Sequence, residues 1–124
     1  MRVYATRDDV HPGDIDLRPL IVDMADDTAP EDILRRAADR RWLPSIQGGC
    51  ATWVIASHEL LAVYAEEWPD LRFMPGLGER IRNVWRVESG IQLHFSYLAQ
   101  ADPEVIYRAP WSVKLRPPQL RRNP

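Results

Sequence analysis

The chain has 124 residues, 45% of them apolar and 27% charged, which is the length and make-up of one folded domain with a sizeable core. Its longest uninterrupted apolar stretch, Leu60–Ala65, falls far short of the ~20 residues a membrane helix needs, and its one Cys excludes a disulfide framework and a multi-cysteine zinc site. The net charge of −2 hides a polarity: residues 1–32 hold nine acids against three Arg, whereas 112–124 hold Lys114, Arg116, Arg121 and Arg122 with no acid.

Taken in chain order, positions 2–6 alternate as a short strand with Val3 and Ala5 on one face. Residues 7–19 read as a polar loop around His11-Pro12-Gly13-Asp14, and 20–24 as a second strand. Thr28-Ala29-Pro30-Glu31 has the form of a capping box with Pro in the first turn. Ile33, Leu34, Ala37, Ala38 and Trp42 then recur at helical spacing, which predicts a helix over about 29–41. The pairs Glu31/Arg35 and Asp32/Arg36 support it, and Arg40 and Arg41 at its end suit the helix dipole.

After Gly48-Gly49 the period drops to two. Residues 50–57 and 60–68 are apolar, β-branched and aromatic, and they flank His58-Glu59 as a tight hairpin. Pro69-Asp70 turns the chain into a strand over 71–74, and 75–78 form a loop opening into a single helical turn. Residues 83–87 and 91–98 make a second hairpin about Glu88-Ser89-Gly90, with Ile91, Leu93, Phe95 and Tyr97 on one face. Asp102 caps a short helix over about 103–109 with Pro103 in its first turn. Residues 112–124 read as a basic, Pro-rich tail beyond a domain of 1–111. The expected fold is α+β: a single antiparallel sheet of five to six strands, the main helix packed on one face, and the short C-terminal helix. Links between consecutive strands are too short for parallel crossovers.

The densest group of potential ligands is Asp8, Asp9, His11, Asp14 and Asp16. A hard cation takes six to eight oxygens from such a loop, but the spacing is not that of an EF-hand. The plainer expectations are a solvated loop or a docking surface for a cationic partner; no cofactor is expected. Cys50 lies in Gln47-Gly-Gly-Cys-Ala-Thr-Trp53, which superficially resembles the nucleophile stretch of papain-like proteases. Thr52 stands where that family has its nucleophile, the spacing is one residue short, and a strand rather than a long helix opens here. Membership is not implied, and Cys50 reads as a buried thiol at a strand start. His94 shares a polar stripe with Gln92 and Ser96; such a stripe ordinarily faces solvent, or it lines a pocket with His94 as general base. Phosphate-cradle and hydrolase-elbow motifs are absent, and a net-acidic chain is poorly suited to nucleic acid.

Five Trp are many for one small core. Trp42 and Trp53 fit core positions, while Trp68, Trp85 and Trp111 lie near element ends, where exposed Trp among acids is the make-up of a protein-binding hot spot. The expected function is a non-enzymatic, acidic protein-binding domain, of the kind that an immunity or antitoxin protein uses to mask a basic partner. Asp8, Asp9, Asp14, Asp16, Trp68 and Trp85 are its contact candidates. The alternative is a small enzyme or ligand-binding domain with a pocket around His94 and Cys50. Fifteen Arg against one Lys fit a GC-rich, bacterial coding sequence, and the absence of an apolar leader in MRVYATRDDV points to the cytoplasm.

Overall fold

Alternating apolar side chains build one sheet, and helices cover it on both faces. The structure, a computed structural model, describes residues 1–8, 19–39, 42–43, 50–87, 90–99 and 101–115. Among them are seven strands: β1 (Arg2–Arg7), β2 (Leu20–Asp23), β3 (Thr52–Ala56), β4 (Leu60–Ala65), β5 (Arg72–Phe73), β6 (Trp85–Val87) and β7 (Gly90–Tyr97). The helices are α1 (Pro30–Ala37), α2 (Leu77–Arg82) and α3 (Pro103–Arg108), followed by a 3-10 turn, Pro110–Ser112. Strand order is β2-β1-β7-β3-β4-β5, with β6 also paired to β7.

The sheet is mixed, which corrects the expected purely antiparallel sheet of five to six strands. β1 runs parallel to β7, with Arg2 opposite Gly90 and Thr6 opposite His94. Short links forbid parallel pairing only between strands that follow one another in the chain. Here the whole of residues 8–89 forms the connection, so the constraint does not apply. β1 pairs with residues 90–95 of β7, while the opposite side of β7 is shared: β6 takes 90–92 and β3 takes 94–97. Ser57 sits at that junction. Its hydroxyl donates to Gln92 O (3.0 Å) and accepts from Trp85 N–H (2.7 Å), joining the end of β3 to the start of β6.

On one face Val3, Ala5, Trp53, Ile55, Ile91, Leu93 and Phe95 meet Ile33, Leu34 and Ala37 of α1 and Leu77 of α2. Leu34 is fully buried, as its place on the periodic face requires. Val54, between Trp53 and Ile55, points the other way. It joins Leu60, Val63 and Met74 in a second core, which Ile106 and Tyr107 of α3 cover together with Val113 and Leu115. Packing therefore extends to Leu115, past the point where the sequence reads as a tail.

The main helix is shorter than its periodicity predicts, and it starts differently. Thr28 does not cap it: the N-cap is Ala29, and the Thr28 hydroxyl donates backward to Ala25 O at 2.6 Å. Thr28 N–H also bonds Ala25 O, so this residue closes the turn after β2 instead of opening the helix. The helix stops at Ala37, and Trp42 and Leu43 fold against the core through separate bonds to Asp39 O. Arg40 and Arg41 lie outside the described residues. Asp102 does cap α3, its carboxylate accepting from Glu104 N–H at 3.0 Å.

Candidate functional site

β7 presents Ile91, Leu93 and Phe95 to the main core, so Gln92, His94 and Ser96 share the other face. The expected solvated stripe is buried: these three are 4%, 7% and 5% exposed. The parallel register sets Thr6 of β1 beside His94, with Thr6 Oγ1 2.7 Å from His94 Nδ1. Asp8, two residues on, reaches His94 Nε2 with Oδ1 at 2.8 Å and accepts from Tyr97 N–H with Oδ2 at 3.0 Å. An ionised Asp8 can only accept, so Nε2 carries a proton and Nδ1 is free to accept from the Thr6 hydroxyl. The Thr6 hydroxyl also lies 3.4 Å from Leu93 O.

A hydroxyl, an imidazole and a carboxylate in series is an arrangement that activates a nucleophile. Thr6 and His94 are each 7% exposed, however, so the hydroxyl has little access to a substrate. What the chain of bonds visibly does is tie the end of β1 across β7. Gln92 Nε2 and Ser96 Oγ, flanking His94 on the same face, are buried without a hydrogen-bond partner among the described residues.

Cys50 does not join this group. The ladder places Ala56 opposite His94, and Cys50 precedes Ala56 by six positions, about 20 Å along extended chain. Nor is the thiol buried as expected; it is exposed, just before β3 begins. Of the acidic loop only Asp8 belongs to the described residues; Asp9, His11, Asp14 and Asp16 lie outside them. Among the described residues no group of three or more His, Cys, Asp or Glu is placed to hold a metal ion. Nor is any helix among them long and apolar enough to cross a membrane.

The Trp candidates are half-buried. Trp68 carries the Arg72 guanidinium 4.0 Å above its ring, and Trp85 packs against the His58 ring, tilted by 52°, with centroids 4.7 Å apart. Trp111 is the exposed one, at 82%.

A second region went unassigned by sequence reasoning, although the charge count contained its signal. The chain leaving β2 and entering α1 carries Asp23, Asp26, Asp27, Glu31 and Asp32 within ten residues. Asp23 pairs with Arg2 at 2.9 Å, and Asp26 pairs with the Met1 ammonium at 2.8 Å. Each cation, through its hydrogen bond and its charge, holds its carboxyl below the usual range, so both stay ionised. Asp32 pairs with Arg35, which also reaches Asp70. Asp27 and Glu31 have no ion-pair partner among the described residues. The shoulder is thus net negative, and beside it Ile21 of β2 is 55% exposed.

Compared with family models, with curated proteins and with solved structures, the chain has no significant match.

Proposed function

We propose that this chain is a protein-binding domain for a cationic partner, as an immunity or antitoxin protein would be. The observation that carries the reading is the acidic shoulder of Asp23, Asp26, Asp27, Glu31 and Asp32 at one edge of the sheet, next to an exposed Ile21. Clustered like charge raises the local concentration of an oppositely charged partner and speeds encounter, while an adjacent apolar side chain holds the complex after contact. The test is capture of a basic protein by the immobilised chain at low salt, with Asp26→Asn/Asp27→Asn/Glu31→Gln/Asp32→Asn as comparison. Capture that falls as salt shortens the Debye length from ~10 Å to ~3 Å, and that the four-fold variant loses, supports the reading. Equal capture by both proteins overturns it.

The Thr6–His94–Asp8 series favours a second reading, a small hydrolase in which His94 activates the Thr6 hydroxyl. Hydrolysis of p-nitrophenyl acetate lost in Thr6→Val and in His94→Phe alike would support it. Rates no higher than those of the variants would sink it.

A further inference from the structure

The edge beside the acidic shoulder is open in a defined pattern. Among the described residues β2 is the last strand on its side of the sheet, antiparallel to β1 with Val22 opposite Val3 and Ile21 opposite Tyr4. Just beyond it, Met24 N–H donates to Met1 O at 2.8 Å and the Met1 ammonium donates to Met24 O at 2.6 Å, which makes Met1/Met24 a pair that exchanges both bonds. Such pairs alternate with non-bonded ones along an antiparallel ladder. Counting from Met24, Val22 and Leu20 bond inward to β1, whereas Asp23 and Ile21 turn both backbone groups outward. Two N–H donors and two C=O acceptors therefore lie along this edge with no strand beside them among the described residues. β2 contains no Pro, no Lys and no bulge; of the devices that blunt an edge it has its shortness and the charge of Asp23.

We propose that this edge takes up an extended, basic segment of the partner as an added strand, bonded backbone to backbone at Ile21 and Asp23. The inference rests on the cationic-partner reading and gives it a mode of contact. Strand addition supplies main-chain hydrogen bonds, and side chains alternating along the added strand supply specificity. Next to Asp23, and near Asp26, Asp27 and Glu31, the favoured side chains are Arg or Lys; against Ile21 the favoured one is apolar. A second copy of this chain is a poor occupant, because β2, Leu-Ile-Val-Asp, offers no basic side chain to the shoulder.

The probe is a seven-residue peptide, Arg-Thr-Val-Thr-Arg-Thr-Val, blocked at both ends, in which Arg and Val alternate along one face; it is titrated into the folded chain while backbone amides are followed by NMR. Its counterpart carries N-methyl groups on alternate residues, which keeps the charge and removes the donors along one side. We expect the unmodified peptide to slow exchange at the Ile21 and Asp23 amides by tenfold or more. The methylated peptide should bind about tenfold more weakly, the loss of two net hydrogen bonds. Ile21→Pro should abolish binding without unfolding the sheet, because the N–H it removes points away from β1. Equal binding of both peptides overturns strand addition and leaves the charge-based reading standing. No binding of either peptide overturns both. Protection of Ile21 and Asp23 that appears with protein concentration alone would assign the edge to a second copy and contradict the proposal.

Discussion

At one end of the sheet β5 contributes two residues; at the other, β2 contributes four. The β5 end lies between Pro69 and Pro75, and its Arg72 is held in place by the Trp68 ring, by Tyr107 at 5.9 Å and by Glu104 at 2.5 Å. α3 leans over it, with the Tyr107 hydroxyl donating to Phe73 O. The β2 end differs: Ile21 is exposed, and the ion pairs of Asp23 with Arg2 and of Asp26 with the Met1 ammonium leave Asp27 and Glu31 without a cation among the described residues. An unguarded edge invites pairing with another chain, and proteins ordinarily suppress it. Among the described residues, one edge of this sheet carries a stacked Arg and the other has no strand beside it, and this contrast underlies the proposed docking at β2.

The largest expected disturbance of the comparison comes from where β1 meets β7. A Cβ on Gly90 would lie 1.9 Å from Arg2 O, a backbone atom that cannot move aside cheaply. Gly90→Ala should destabilise by about 3 kcal/mol, measured by urea denaturation. Amide protection should fall first in β1 and β2 and persist at β4. Uniform loss would mean that the open edge is not a separable unit.

Smaller effects should follow from the Thr6–His94 contact. Thr6→Val keeps the shape but leaves His94 Nδ1 buried without a donor, so a loss of about 1–2 kcal/mol is expected by the same method. A change near zero would mean that packing alone holds β1 to β7. At the guarded edge, Arg72→Ala removes a cation–π contact and a half-exposed ion pair, worth up to about 1 kcal/mol together. Its more telling consequence should be new self-association, seen by sedimentation velocity, as β5 loses its guard. Unchanged sedimentation would show that α3 suffices as cover.

Each edge also holds one carboxyl that Arg keeps depressed, and here the two should behave alike. Asp70 is lowered chiefly by its hydrogen bond to Arg35, and Asp23 by that to Arg2. A carboxyl with a lower value folded than unfolded stabilises above its unfolded value, and that contribution disappears as pH falls through the folded one. Asp70→Asn and Asp23→Asn should therefore each flatten slightly the drop in melting temperature below pH ~4, leaving the neutral-pH curve nearly level. A steeper acid limb in either variant would contradict the pairing.

Much of the fold was legible in the sequence. Ile33, Leu34 and Ala37 announced the buried helix face, the alternation of Ile91, Leu93 and Phe95 announced β7, and Asp102 announced its cap. The parallel β1–β7 pairing was not, because register between strands so far apart in sequence is set by tertiary packing and leaves no local mark. Thr28 misled for a related reason: its hydroxyl had two competing backbone targets, and the preceding turn won. The candidate sites were legible only in part. His94 and Asp8 were each singled out, yet nothing local showed that they meet. The Asp23–Asp32 shoulder was visible as charge, but not as the flank of an open edge, since edge position is a property of the whole sheet.

Amide hydrogen exchange on the free protein tests most directly whether β2 is an open edge. Val22 and Met24, bonded inward, should be protected, while Ile21 and Asp23, which alternate with them, should exchange at nearly unprotected rates along one short strand. Even protection from Ile21 to Met24 would mean that the edge is already covered, and the assignment of β2 as a docking strand would be contradicted.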